Sequence, residues 1–258
     1  MRLLSVLLIF FLVNAMQLSA HELWLQAKEY QIKKGNKLIA HIKVGQNLIG
    51  ENYPYLKEET EKLFIQNKKG LVNLKQIDGD FPAIQQNLIE NDTQYLYYQS
   101  NKEILQYENY ETFLEFINDY KLPYNSEKKS IPKEIYQRFA KIIFKYNGKN
   151  FFHPKQNLEF EIINLNDPYT NNISEIKILI QGKPFSNRQF LVFYLDGDKF
   201  KKKKYKTNNN GFTKIDTSQP GLYLVSAVHL VTLNYINQIK YKADYYSKWA
   251  SLTFKKTN

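Results

Sequence analysis

The sequence contains no cysteine in its 258 residues. This absence excludes disulfide bonds, thiolate metal ligands, cysteine catalysis and a lipid-modified N-terminal cysteine. The folded chain must therefore be stabilised by an ordinary apolar core, and it is long enough to form one or two such cores.

Histidine is also scarce, and the local motifs of most enzyme classes are missing. The four histidines are His21, His41, His153 and His229, and none belongs to an HExxH motif. The sequence has no GxSxG, no P-loop and no GxGxxG, and no pair of acidic residues stands out as a catalytic dyad. We therefore expect a protein that is not an enzyme.

Long apolar runs are missing except at the N-terminus. Arg2 is followed by the apolar residues 3–13 (LLSVLLIFFLV) and then by the small residue Ala20, which is typical of a secretory signal peptide. We predict a signal peptide over residues 1–20, with cleavage before His21; cleavage after Ala15 is the alternative. No later run could span a bilayer, so the mature protein is expected to be soluble and periplasmic or secreted.

Acidic residues are fewer than basic ones: the chain has 25 Asp and Glu against 36 Lys and Arg, which gives a formal net charge of +11. Such a balance can indicate nucleic-acid binding. Here the lysines are scattered among Asn, Ile and Tyr, and an exported protein rarely meets nucleic acid. The run at residues 201–204 (KKKK) follows a strand pattern and precedes Asn210-Gly211, which predicts a solvated hairpin. No nucleic-acid partner is expected.

Short strands separated by turn residues dominate the rest of the chain, so the fold class is predicted to be mainly β. After residue 156 the strand patterns are punctuated by turns such as Asp196-Gly197 and Pro220-Gly221, a spacing typical of an immunoglobulin-like β-sandwich. We predict a β-rich N-terminal domain over residues 21–155 and a sandwich over residues 156–258.

Two segments of the first domain suggest helix. Residues 109–120 place Phe113, Phe116 and Ile117 at helical spacing. Residues 131–146 begin with Ile131-Pro132, and a proline suits a first helical turn, although the end of this segment resembles a strand.

Two histidines are candidate metal ligands. His229 lies in GLYLVSAVHLVTL, which is apolar on both faces and predicts a central strand; the simpler interpretation is a core histidine bonded to a backbone carbonyl. Cleavage before His21 would place an α-amine beside its imidazole, and these two nitrogens with a further imidazole would suit Cu(II) or Ni(II). The alternative is that His21 is an ordinary surface residue. His41 lies on a predicted strand and is expected to be half exposed, whereas His153 before Pro154 is interpreted as a surface residue.

An ordered series of short motifs resembles a periplasmic domain-of-unknown-function family that includes NikM-subunit-like nickel-uptake accessory proteins. The motifs are His21-Glu22-Leu23-Trp24-Leu25, Val44-Gly45, Tyr136-x-Arg138-x-Ala140-Lys141, the 158–162 strand with Asp167-Pro168, Gly182-Lys183-Pro184, Asn210-Gly211, the segment from Pro220 to His229, and residues 249–254 (WASLTF). Leu23 stands where the family more often has an aromatic residue, and Asn210-Gly211 where an Asp-x-Gly turn is common.

The resemblance implies a two-part β protein whose second half is a carboxypeptidase-regulatory-like sandwich. It also implies a role in nickel or cobalt handling, with His21 and His229 as the positions that fit a metal site. Three hypotheses follow: an accessory protein that binds nickel, cobalt or copper and serves a metal-uptake permease; a structural or interaction sandwich without metal; and a copper monooxygenase with a histidine brace.

Overall fold

The computed structural model describes residues 21–257, and the predicted signal peptide lies outside them. The protein is mainly β, with 52% strand and 8% helix, as the sequence predicts. The first nine strands are β1 (Glu22–Ala27), β2 (Gln31–Ile32), β3 (Leu38–Gln46), β4 (Ile49–Tyr53), β5 (Thr60–Asn67), β6 (Gly70–Asn73), β7 (Ile84–Gln86), β8 (Asp92–Ser100) and β9 (Glu103–Gln106).

Helix α1 (Tyr110–Tyr120) separates these strands from the remaining ones. They are β10 (Lys133–Tyr146), β11 (Phe160–Asn164), β12 (Ile173–Ile180), β13 (Lys183–Pro184), β14 (Gln189–Asp196), β15 (Lys199–Lys206), β16 (Phe212–Asp216), β17 (Gly221–Thr232) and β18 (Tyr245–Lys256). A second helix, α2 (Tyr235–Tyr241), connects β17 to β18.

The described strands form three sheets. A ten-stranded central sheet has the order β15-β14-β17-β18-β10-β8-β5-β6, with β2 and β9 also paired to β10. The N-terminal sheet contains β1, β3, β4 and β7, and the C-terminal sheet contains β11, β12, β13 and β16. Two apolar clusters lie on opposite faces of the central sheet: the N-terminal sheet and α1 cover one face, and the C-terminal sheet covers the other.

Strand β17 lies at the middle of this arrangement. It pairs with β14 on one side and with β18 on the other. Leu224 and Val228 pack in the cluster beneath α1, whereas Val225 and Ala227 pack in the cluster beneath the C-terminal sheet. The sequence prediction of a central strand covered on both faces is confirmed, because a strand apolar at odd and even positions must bury both sides.

The predicted helix at residues 109–120 is α1. Its Asn109 N-cap accepts a hydrogen bond from the Thr112 backbone N–H at 2.8 Å, which satisfies one of the free donors of the first turn. Phe116 is buried and stacks on the Trp249 ring of β18, with ring centroids 4.9 Å apart. This contact fixes α1 against the central sheet.

The expectation of a helical turn after Pro132 is wrong. Residues 133–146 form one continuous strand, β10, which pairs with β18 in parallel and with β8 and β9 antiparallel. Pro132 directly precedes the strand, a position where its missing N–H disturbs no ladder bond. Fully extended geometry places Glu134, Tyr136 and Arg138 on one face.

The predicted domain boundary falls in the connection between β10 and β11. The central sheet contains strands from both sides of it, since β10 pairs with β18. A buried ion pair also joins the two segments: Lys141 Nζ on β10 lies 2.7 Å from Glu161 Oε1 on β11, and both side chains are 1% exposed. The two predicted halves therefore share a sheet and an ion pair.

The lysine run at residues 201–204 belongs to β15, which lies at one edge of the central sheet and, among the described strands, pairs with β14 alone. Lysine on an edge strand keeps the unpaired backbone groups from pairing with another chain. The lysine run is thus solvated on the exposed strand β15, whereas its hairpin partner β14 is largely buried.

Candidate functional site

His21 directly precedes β1 and lies half-buried on the α1 side of the central sheet. Burial lowers the pKa of its imidazole, the positive charge of Arg138 lowers it further, and the carboxylate of Glu108 acts in the opposite direction. The ring is therefore neutral near pH 7, and the neutral ring is the form that binds metal.

His229 lies on β17 and faces the other side of the sheet. Its ring contacts Phe185 edge-on, with centroids 6.1 Å apart, and Phe185 belongs to the cluster beneath the C-terminal sheet. Burial lowers its pKa, and the positive charges of Arg188 and Lys248 add to that effect.

The structure does not bring the rings of His21 and His229 together. His21 lies beside Arg138, whose guanidinium is stacked on Trp249 in the α1-side cluster. His229 shares its side of β17 with Val225 and Ala227 in the opposite cluster. The central sheet thus lies between the two imidazoles.

Beside the larger effect of burial, the positive charge of Arg138 acts to lower the pKa values of His21, Glu22 and Glu134. Its side chain is 6% exposed, and its Cζ atom lies 4.2 Å from the Trp249 ring centroid and 4.9 Å from that of Tyr136. The Nη1 atom is buried and has no hydrogen-bond partner among the described residues. Stacking on two rings compensates part of the lost hydration through cation–π attraction.

Glu22 lies next to His21 on β1 and is 7% exposed. Its Oε1 atom accepts a long hydrogen bond of 3.4 Å from Tyr120, whose hydroxyl also contacts Ser226 Oγ at 2.9 Å. Burial raises the pKa of Glu22 to about 7, against the lowering effects of its backbone hydrogen bond and of Arg138. Its protonation therefore changes near neutral pH.

Glu134 is the second buried carboxyl near Arg138, and it is fully buried on β10. Its Oε1 atom accepts a hydrogen bond from Ser247 Oγ at 3.0 Å, and Ser247 in turn accepts one from the Trp249 indole at 2.8 Å. Burial raises the pKa of Glu134 to about 7. We refer to His21, Glu22, Glu134 and Arg138 as the Arg138 cluster.

The Arg138 cluster adjoins a small cavity of about 100 Å³ between the N-terminal sheet and the central sheet. Leu23, Ile42 and Val44 form apolar parts of its wall, while Arg138 and Glu103 contribute charge. A cavity of this size holds a few waters or a very small ligand. The cavity is therefore mainly apolar, with a few charged side chains in its wall.

Sequence reasoning identified His21 and missed the roles of Glu22, Glu134 and Arg138. The signal that could identify them is the period-2 spacing of Glu134, Tyr136 and Arg138, which places the three side chains on one face of a strand. No local signal shows that this face meets His21, because β1 and β10 are more than a hundred residues apart in the sequence.

The two remaining histidines lie away from the Arg138 cluster. His41 on β3 contacts the Phe81 ring and lines a larger cavity of about 520 Å³, together with Lys28, Lys43 and Lys255. His153 is exposed and contacts the Phe151 ring. The exposed position of His153 agrees with the prediction from sequence.

Within residues 21–257, no group of three or more His, Asp or Glu side chains is arranged to hold a metal ion. No helix in this part of the chain combines the length and apolar character needed to cross a membrane. A search among curated proteins finds no match to the sequence. Residues 18–231 match the family model described as "Domain of unknown function (DUF4198)", and the chain therefore belongs to this family.

Proposed function

We propose that the protein is an exported metal-binding protein, accessory to nickel or cobalt uptake, that holds its ion at a mature N-terminus beginning with His21. The observation that carries the proposal is the half-buried imidazole of His21, whose pKa is lowered by burial and by Arg138 and whose ring is also reached by the negative charge of Glu108. The family resemblance of the His21-to-Leu25 segment supports the same role. A metal-uptake permease is the proposed partner, and the periplasm is the proposed location.

The proposed ligands are the α-amine and the ring nitrogen of His21 and the carboxylate of Glu108. Cleavage before His21 would free its α-amine, and amine and ring nitrogen of one residue can chelate a borderline metal such as Ni(II), Co(II) or Cu(II). Glu108 is the acidic side chain whose charge acts on this ring, and its carboxylate is the proposed third donor. His229 is not a ligand of this ion, because its ring lies across the central sheet.

Arg138 sets the expected strength of the site. Its positive charge acts on the His21 ring and opposes a bound cation through Coulomb repulsion. We therefore expect an exchangeable ion, which suits delivery to a transporter better than permanent storage. Affinity should fall as the pH drops through the titration of the α-amine, about 7.7–8.0 in unperturbed chains, because metal competes with protons for that nitrogen.

The test compares three proteins by calorimetric titration with Ni(II), Co(II) and Cu(II). They are the mature protein beginning at His21, the same protein with Gly-Ser added before His21, and the His229→Ala variant. The extension keeps every side chain and removes only the chelating amine, so it should weaken binding by tenfold or more, about 1.4 kcal/mol. His229→Ala should bind as the mature protein does.

Two results would refute this assignment: an extended protein that binds as tightly as the mature one, or a His229→Ala variant that loses binding while its circular dichroism is unchanged. Intact mass of the exported protein checks the cleavage site independently. A mature chain beginning at Met16 would lack the amine ligand.

A structural or interaction protein without metal is the second candidate. The specific observation in its favour is that residues 21–257 contain no group of three or more acidic or histidine side chains arranged around an ion site. Absence of binding for all three metals to the correctly cleaved protein would favour this candidate over the first.

A further inference from the structure

Helix α2 carries its apolar side chains on the outside. Tyr235, Ile236 and Ile239 are 77%, 75% and 61% exposed, and α2 has no buried residue. At 100° per residue these three side chains lie within one arc of about 100°. The opposite arc holds Asn237 and Gln238, which are less exposed. A surface helix normally buries its apolar arc, so α2 has the reverse arrangement.

The position of α2 is well defined by hydrogen bonds at its base. It caps the β17–β18 hairpin, which is closed by the Leu233 N–H bonding to the Asp244 carbonyl at 2.9 Å. The segment 121–132 reaches the same end of the central sheet, because the Asp244 N–H bonds to the Lys133 carbonyl at 2.7 Å and Lys128 pairs with Asp244. This end exposes further apolar side chains: Tyr124, Ile131 and Val231.

We name this surface the α2 face, formed by Tyr235, Ile236 and Ile239 together with Tyr124, Ile131 and Val231. Exposed apolar side chains scattered singly are normal on proteins. Six on connected segments at one end of a sheet are unusual, and such patches mark sites of association.

The charges beside the α2 face are mainly positive. Residues 235–242 contain two lysines, Lys240 and Lys242, and no acidic residue; both lysines are exposed. Lys129 is exposed on the neighbouring segment. None of these three lysines has an ion pair among residues 21–257, whereas the acidic Asp244 is already paired with Lys128. Glu127 is the acidic residue of the segment.

Apolar and tyrosine side chains flanked by lysine are typical of peripheral contact with a membrane surface, where apolar groups enter the headgroup boundary and lysines approach anionic lipids. Tyrosine is favoured at that depth because its ring is apolar and its hydroxyl remains hydrated. We propose that the α2 face docks the protein onto the surface of a membrane that contains anionic phospholipids, with Tyr235, Ile236 and Ile239 inserted at the headgroup level.

The test is co-sedimentation of the mature protein with two kinds of vesicle: phosphatidylcholine alone, and phosphatidylcholine with one-third phosphatidylglycerol. The protein should bind the anionic vesicles, bind the neutral ones at least tenfold more weakly, and dissociate as salt is raised. The double variant Ile236→Ser/Ile239→Ser should lose at least tenfold in vesicle affinity. Lys240→Gln/Lys242→Gln should lose binding to anionic vesicles only.

The matched control is Ile49→Ser/Ile89→Ser, which removes two isoleucines that are 74% and 87% exposed elsewhere on the protein. It should bind vesicles like the unmodified chain. Equal loss in this control, or no binding of the unmodified chain to anionic vesicles, overturns the proposal. Self-association that is abolished by Ile236→Ser/Ile239→Ser, without vesicle binding, would assign the α2 face to a second copy of the chain instead.

Discussion

Glu22→Gln should change how the stability of the protein depends on pH. Glu22 is buried beside Arg138 and Tyr120, and burial raises its pKa from 4.5 to about 7. The folded protein therefore holds a proton that the unfolded chain has already released between these two pH values. By linkage, the free energy of unfolding of the natural protein falls as the pH rises through this window.

The size of the effect follows from the shift. Two to three units at about 1.4 kcal/mol per unit correspond to a loss of about 3 kcal/mol above pH 7. Relaxation and water entry reduce this figure, so we expect about 1–3 kcal/mol. Glutamine has the shape of the protonated acid and cannot ionise, so the variant should not show this loss.

The assay is urea unfolding of both proteins at about pH 5 and about pH 8, with stabilities taken from the linear extrapolation. Glutamine brings an extra N–H that finds no partner, and this constant cost cancels when the two pH values are compared. The stability of Glu22→Gln relative to the natural chain should rise by about 1–3 kcal/mol between the lower and the higher pH. The exposed Glu29→Gln serves as the control and should show no such change. Equal pH dependence of the natural chain and Glu22→Gln would mean that Glu22 is ionised in the folded state, and the reasoning would fail.

Two further predictions concern stability. Lys141→Met leaves the Glu161 carboxylate, which is 1% exposed, buried without its lysine partner, so it should lower the free energy of unfolding in urea at neutral pH by about 3–5 kcal/mol. Adding Glu161→Gln should recover part of that loss. A Lys141→Met variant as stable as the natural chain would contradict the prediction. Asn109→Ala removes the N-cap of α1 and should lower the free energy of unfolding by about 1 kcal/mol, whereas Asn109→Asp, which keeps the capping oxygen, should lower it by far less.

Much of the fold could be predicted from local pattern. The alternation in residues 37–46 and 94–99 corresponds to β3 and β8, and the 3–4 spacing of Phe113 and Phe116 corresponds to α1. Such patterns indicate which side chains of a segment are buried, and they can be recognised within a window of a few residues. The pattern was ambiguous in residues 133–146, because an unbroken buried strand lacks a single apolar period.

The candidate site depended on pairings that no local pattern contains. Parallel pairing of β10 with β18 places Arg138 opposite Trp249, and the N-terminal strand then covers them with His21 and Glu22. The contacts join residues more than a hundred positions apart. Partner choice between distant strands depends on the packing of whole layers, so spacing within one segment could not predict the cluster.

The sequence by itself determined the mainly β class, the apolar core without disulfides, the helix α1 and the side of β17 on which His229 lies. Only the tertiary structure decided which layer covers each side. His21 came to lie with α1 and Arg138, and His229 came to lie with Phe185 beneath the C-terminal sheet. The physical reason is that strand alternation specifies two faces but not what packs on them, so two histidines suited to one ion by chemistry are held apart by the sheet between them.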